Sequence, residues 1–407
     1  MRIAMLSEHA SPLSALGGVD AGGQNAHVAE LAAALVEQGN EVRVYTRWES
    51  PDQPRVVAAN GFEVVHVPAG PGIVLAKDDL LPYMGEFAEL MAADWREHWL
   101  PDVAHAHFWM SGLAAVTAGR ACDVPVVQTY HALGSVKRRH QGAADTSPQH
   151  RIGYERQLGR VVDRVVVQCQ DEIHELMQLG VPRSQMALVP SGVNTDRFQP
   201  TGPAEPRDPD VPRILTVGRL VERKGYEDLI RALPAVPGAE LVIVGGPPDG
   251  SLDEHPYARK LRALAERCGV RDRVRLAGGV AAADMPQWYR SADLLAAAPW
   301  YEPFGLTPLE AMACGVPVVG SAVGGLTDTV VDGVTGDLVP ARDPRALGSA
   351  LRRLLADEVR RFSYSAAAVD RATHSYSWRH VATRLTAVYA AVTGRTVAED
   401  QTREAVA

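Results

Sequence analysis

At 407 residues the chain exceeds what one hydrophobic core usually serves, so two domains are expected. It is 46% hydrophobic and 22% charged with a formal net charge of −8, which argues against a nucleic-acid binder that works by neutralising phosphates. No apolar run is long enough to span a bilayer, Met1-Arg2-Ile3 enters a strand without a leader, and Cys122, Cys169, Cys268 and Cys314 form no CxxC pair, so a cytoplasmic protein with free thiols and no transmembrane segment is expected.

In chain order, Arg2–Leu6 reads as a short buried strand, followed by a long loop, Ser7 to Ala21, with glycine pairs at 17–18 and 22–23. A helix from Gln24 to Gln38 carries Val28, Leu31 and Leu35 at helical spacing and stops at Gly39. Loops of this length in compact domains tend to be functional, and glycines ahead of a helix let backbone approach a ligand. Strands follow at 42–45 and 62–67. Lys77 then opens KDDLLPYM, leading to a helix that ends near Trp99. Val103–His107 is a further strand. His105 and His107 alternate on it as zinc ligands can, but no other ligand cluster accompanies them in sequence, so they read as marking a strand end and no metal is expected. The strand 124–129 ends at Thr129-Tyr130-His131, a second candidate position, because open α/β sheets bind ligands at strand carboxyl ends.

The basic run 137–140 lies in the loop after that strand, and Arg151 opens the helix RIGYERQLGR, where Glu155 stands at i,i+4 spacing. Further strands at 165–167 and 187–189 complete a first domain at 1–198. Gln199–Pro212 has five prolines and no apolar periodicity, and reads as the interdomain linker. Its Asp208-Pro209-Asp210 mimics a metal-binding DxD but should be solvated. The second domain, 213–376, restarts strand–helix alternation with Ile214–Val217, after which Arg219 and Lys224 can converge on one anion. A closing helix, 377–392, carries Trp378, Val381, Leu385 and Val388 on one stripe, and residues from Gly394 on read as a frayed tail.

The most informative stretch is Pro299–Gly325, PWYEPFGLTPLEAMACGVPVVGSAVGG. Glu302 sits on a loop and Glu310 on a short helix for which Thr307 is the expected N-cap and Pro308 the first helical residue. The amides of Gly305, Leu306 and Thr307 make a positively polarised cup suited to phosphate oxygens, whereas the flanking carboxylates suit hydroxyls. A phosphate-binding turn between two hydroxyl-binding acids is a site for a nucleotide-sugar.

EPFGLTPLE resembles the E-x7-E signature of the retaining glycosyltransferases of family four, built on the two-domain GT-B fold, and the likeness extends over nearly the whole chain. The resemblance implies an α/β fold of two Rossmann-like, doubly wound parallel-sheet domains facing across a cleft, with the last helix crossing back to the first domain. It implies a nucleotide-sugar donor bound by Gly22, Gly23, Arg219, Lys224, Glu302, Phe304, Gly305, Leu306, Thr307 and Glu310. Arg219 and Lys224 would grip the diphosphate, Glu310 the ribose and Glu302 the transferred sugar. His131 matches the family's cleft histidine near the donor hexose, so His131, Glu302, Arg219 and Lys224 form the expected catalytic set. His9, Asn25, Lys77, Phe108 and Arg151 are the expected acceptor residues. Cofactors and metals are not expected, because the cations and amides do the work often left to a divalent ion.

The loop GGVDAGGQN, KDDLLPYM and HFWMSG resemble actinobacterial inositol-phosphate N-acetylglucosaminyltransferases and, further off, sucrose-phosphate synthases. Where the former hold the acceptor phosphate with Lys, Tyr, Thr and Arg, this sequence has Lys77, Phe108, Ala132 and Arg151. A cyclitol, another sugar or a natural-product hydroxyl therefore remains open as the small acceptor, and a homodimer also stays open. The alternatives are a nucleotide-sugar 2-epimerase of the same fold and a non-catalytic nucleotide-sugar-binding protein.

Overall fold

In the computed structural model, the described residues are 1–14, 22–247 and 251–395. Gly17 and Gly18, and the tail beyond Arg395, lie outside them. The chain divides into two compact units. Among the described residues, 1–14, 22–191 and 378–395 belong to the first, and 192–247 with 251–377 to the second.

The first unit holds an eight-stranded sheet of β1 (Arg2–Leu6), β2 (Glu41–Arg47), β3 (Val56–Ala59), β4 (Phe62–Val67), β5 (Val103–His107), β6 (Val126–Thr129), β7 (Arg164–Val167) and β8 (Met186–Leu188). Their order is β3-β4-β2-β1-β5-β6-β7-β8. All pairs are parallel except β3–β4, an antiparallel edge hairpin that the sequence reading passed over. β1 is apolar on both faces because helices cover both sides. One layer comprises Met84–Glu97, Trp109–Cys122 and Arg151–Val161, packed through residues such as Phe87, Met91, Trp109 and Leu158. The other comprises Gly23–Glu37 and the closing helix Trp378–Thr393, whose Val381, Leu385 and Tyr389 meet Val28, Leu31 and Leu35. The basic run expected in a loop lies instead in the helix Gly134–Gln141, where Arg139 makes a two-pronged pair with Glu175, both N–O distances 2.7 Å.

The second unit holds six parallel strands, β9 (Arg213–Val217), β10 (Glu240–Val244), β11 (Val274–Gly278), β12 (Leu294–Ala297), β13 (Val318–Ser321) and β14 (Gly336–Val339), in the order β11-β10-β9-β12-β13-β14. Two boundaries differ from expectation. Residues 192–198, assigned above to the first domain, group with this unit because Val193 and Phe198 are buried among Leu215, Trp288, Tyr289 and Met312. The proline-rich stretch 199–212 is laid on this unit rather than hanging free: Arg290 donates to the carbonyls of Pro203 and Gln199, and the Glu205 amide donates to Gln287. Asp208 and Asp210 are exposed, as expected.

In each sheet the chain winds outward one way and then returns to wind the other. The reversal falls between β1 and β5 in the first unit and between β9 and β12 in the second. Ligand sites in such sheets lie at the carboxyl ends of the strands flanking the reversal. Those ends are Ser7–His9 and Phe108 in one unit, and Gly218–Lys224 and Pro299–Thr307 in the other.

Candidate active site

In the second unit, β9 runs into Gly218 and Arg219, then a single 3-10 turn, Glu222–Lys224, and the helix Tyr226–Ala232. Gly225 joins them at φ +72°, and a Cβ there would meet the Ala298 carbonyl oxygen at 1.8 Å, so only glycine lets this turn press against the end of β12. That approach delivers Lys224 to the 299–305 loop, where its Nζ lies 2.6 Å from Glu302 Oε2 with both side chains mostly buried. Burial, joined by the charges of Arg223 and Arg219, depresses the Lys224 ammonium, and Glu302 offsets part of that effect. For Glu302, burial pushes the carboxyl upward, but the charges of Lys224, Arg223 and Arg219 outweigh it and hold the group below its ordinary range. Lys224, Glu302, Thr307, Tyr226 and Leu326 line a small pocket at this strand end.

The helix after the loop starts earlier than expected. It spans Leu306–Ala313 with Gly305 as N-cap at φ +94°, so Pro308 is its third residue and Thr307 its second. The left-handed Gly305 makes the chain turn at once into the helix, which a Thr307 cap would have delayed by two residues. The Leu306 and Thr307 amides remain first-turn donors, whereas Pro308 has none. Phe304 is a core residue: it is 5% exposed and its ring packs with Tyr376. Its carbonyl accepts from Thr329 Oγ1, which ties the loop to the next helix. Glu310 receives a 2.5 Å hydrogen bond from the buried Tyr289 hydroxyl. The sequence reading missed Tyr289, because 21 residues separate it from Glu310 and no local pattern links them.

In the first unit four of the five expected acceptor residues gather around one ring, that of Phe108. Phe108 follows β5 at φ +82°, a strained conformation for a bulky residue, of the kind that clusters at functional sites. His9 meets its edge at 4.8 Å between ring centroids, Lys77 Nζ lies 5.4 Å from its centroid, and Arg151 Cζ lies 4.9 Å away. The two cations are therefore within about 10.3 Å of each other, the sum of those distances. Arg151 also has the local partner that its spacing predicted. Nε donates to Glu155 Oε1 at 2.8 Å, Nη1 to Ser147 Oγ at 3.2 Å and Nη2 to the Ala132 carbonyl at 2.5 Å. Among the described residues, three of the five guanidinium hydrogens are thus used. Burial raises the Glu155 carboxyl, against the pull of Arg151. Ser147 was not singled out in the sequence, yet its hydroxyl also accepts from Lys137 at 2.8 Å.

Gly22 and Gly23 open the helix Gly23–Glu37. Asn25 is placed to build that turn: its Oδ1 accepts from the Gly22 amide at 3.0 Å and its Nδ2 donates to the Ser11 carbonyl at 2.9 Å. Nothing brings Asn25 to the Phe108 ring. His131, at φ +60°, stacks on His107, whose Nδ1 is 2.9 Å from His131 Nε2. The histidine pair of β5 therefore has company after all. His27 stands edge-on to His131 at 4.8 Å, and His105 is locked by Thr129 and Tyr389 at 2.8 and 2.7 Å.

Two family models match the chain: "Glycosyltransferase Family 4" over residues 21–197 and "Glycosyl transferases group 1" over 201–371. A D-inositol 3-phosphate glycosyltransferase of Xylanimonas cellulosilytica is 40% identical over 97% of this chain and 97% of its own length. One from Kineococcus radiotolerans is 38% identical, covering 95% and 94%. Among solved structures, sucrose-phosphate synthase from Thermosynechococcus elongatus superposes with a TM-score of 0.86 at 30% identity, covering 97% of this chain and 99% of that one. Anabaena HepE in complex with UDP and glucose shares the fold at TM-score 0.73 and 19% identity, covering 96% and 100%. With this likeness over nearly its full length and its two parallel-sheet α/β units, the chain belongs to glycosyltransferase family 4 and is a glycosyltransferase of the GT-B fold.

Proposed function

We propose that this glycosyltransferase transfers a hexose-type sugar from a nucleoside-diphosphate sugar to a small phosphorylated cyclitol, with retention and without a metal. The observation that carries the donor half is the Lys224–Glu302 pair beside the Leu306 and Thr307 amides. It sets a cation and oriented donors where diphosphate charge would develop, and a carboxylate where sugar hydroxyls would lie. Glu310, oriented by Tyr289, is assigned to the ribose. His131 is assigned to orienting the transferred sugar. No carboxylate is assigned as a nucleophile. The acceptor hydroxyl is read as losing its proton to the departing phosphate on the same face.

A phosphorylated cyclitol is supported by the likeness to D-inositol 3-phosphate glycosyltransferases together with His9, Lys77 and Arg151 around Phe108. Phe108 and Ala132 supply no hydroxyl. Ser147, in contact with both Lys137 and Arg151, restores one beside the cations. A phosphate between Lys77 and Arg151 would relieve their mutual repulsion.

Thermal-shift measurements with UDP-, GDP- and ADP-sugars test the donor assignment, because a ligand that binds only the native state raises its melting temperature. One of them should stabilise the protein, and stabilisation by none would remove the donor assignment. Glu310→Ala should weaken nucleotide-sugar binding by about 10- to 100-fold, the cost of a hydrogen bond to a charged group. Unchanged affinity by isothermal titration would sink the ribose role. Transfer should persist in EDTA, whereas abolition by EDTA with rescue by magnesium would overturn the metal-free reading.

A further inference from the structure

We propose that His27, His107 and His131 form a binding site for a borderline transition-metal ion of the zinc type, built entirely within the first unit. Their ligand nitrogens lie within 4.8 Å of one another. They arrive from three places: the helix Gly23–Glu37, the last residue of β5 and the turn after β6. Three imidazoles suit Zn²⁺, Co²⁺ or Ni²⁺ rather than the oxygen-seeking Mg²⁺ or Ca²⁺. With metal–nitrogen bonds of about 2.1 Å at tetrahedral angles, ligand nitrogens stand about 3.4 Å apart, so the widest pair must close by up to roughly 1.4 Å.

Two further observations set this group apart from an ordinary packed histidine pair. His107 is fully buried, and its Nε2 has no hydrogen-bond partner, unlike both nitrogens of neighbouring His105. His27 has the outer support that metal-binding imidazoles use to fix ring and tautomer: Ser191 Oγ lies 2.7 Å from its Nδ1, and the Trp378 ring stands edge-on at 5.0 Å. His131 is only partly buried, which leaves a way in. The site shares His131 with the sugar-orienting role assigned above, so an ion held there would obstruct transfer rather than assist it. The proposal itself does not rest on that role.

The test is Co²⁺ titration of the full, chelator-stripped chain, read by visible absorption, with displacement by Zn²⁺ followed in the same cuvette. One equivalent should give the colour of a low-coordinate Co²⁺ site, and Zn²⁺ should bleach it. His27→Phe should weaken Co²⁺ by at least about 100-fold, and Ser191→Ala by about 10- to 100-fold, the usual effect of losing an outer partner. His98→Ala, at an exposed histidine elsewhere, should change nothing. Should His27→Phe fail to fold, Ser191→Ala decides. Absence of a Co²⁺ band, or binding indifferent to both variants, would overturn the proposal.

Discussion

Lys224→Ala is expected to lower turnover by about 2–4 kcal/mol of transition-state stabilisation, the scale of removing one oxyanion-hole donor. The side chain has two tasks in the proposed reaction. It stabilises the departing diphosphate, and it holds Glu302, whose carboxylate would otherwise face the sugar with only Arg219 and Arg223 nearby to keep it ionised. Removing it therefore harms both the leaving group and the positioning of the transferred sugar. Nucleotide affinity should fall much less than turnover, because Glu310 and the helix amides are untouched. Steady-state kinetics beside calorimetry read the split, and turnover within threefold of the parent would remove Lys224 from the chemistry. Glu302→Gln keeps the shape and the lysine, so its loss should be smaller than that of Lys224→Ala.

Arg151→Ala is expected to destabilise the first unit by about 3–5 kcal/mol, because it strands a carboxylate with no exposed surface. Glu155 also accepts from the Gly134 amide, so the loss would loosen the start of the helix that carries Lys137. Arg151→Ala with Glu155→Leu should recover much of that stability, since replacing a whole buried pair by apolar groups is often neutral. The double variant then separates two roles. If Arg151 also holds acceptor phosphate, the stable double variant keeps donor binding and loses acceptor affinity by 10-fold or more. Urea unfolding and acceptor KM measure the two effects. An unchanged acceptor KM would confine Arg151 to the fold.

The strand–helix alternation was legible because buried parallel strands are continuous apolar runs, and Phe62–Val67 has the bounds its pattern suggested. Val56–Ala59 was missed because its apolar run, VVAA, is only four residues long and, on a half-exposed edge strand, has no buried face to set it apart. The pair Glu302/Glu310 could be read from spacing, since one loop and one helix set both. The Gly305 cap could not, because Thr307-Pro308 is a stronger local start signal than the packing against Leu326 that selects glycine. Lys224 meeting Glu302, Tyr289 meeting Glu310 and His27 meeting His131 each depend on strand order. Residues 78, 21 and 104 positions apart carry no trace of that order in sequence.

Sugar transfer with retention is tested most directly by proton NMR of the protein with its stabilising nucleotide-sugar, with and without inositol 3-phosphate. The expected result is release of nucleoside diphosphate only when the acceptor is present, with a new glycosidic anomeric signal whose coupling matches the donor's configuration. Inversion at C2 of the donor sugar in the absence of acceptor, or an anomeric coupling opposite to the donor's, would contradict it.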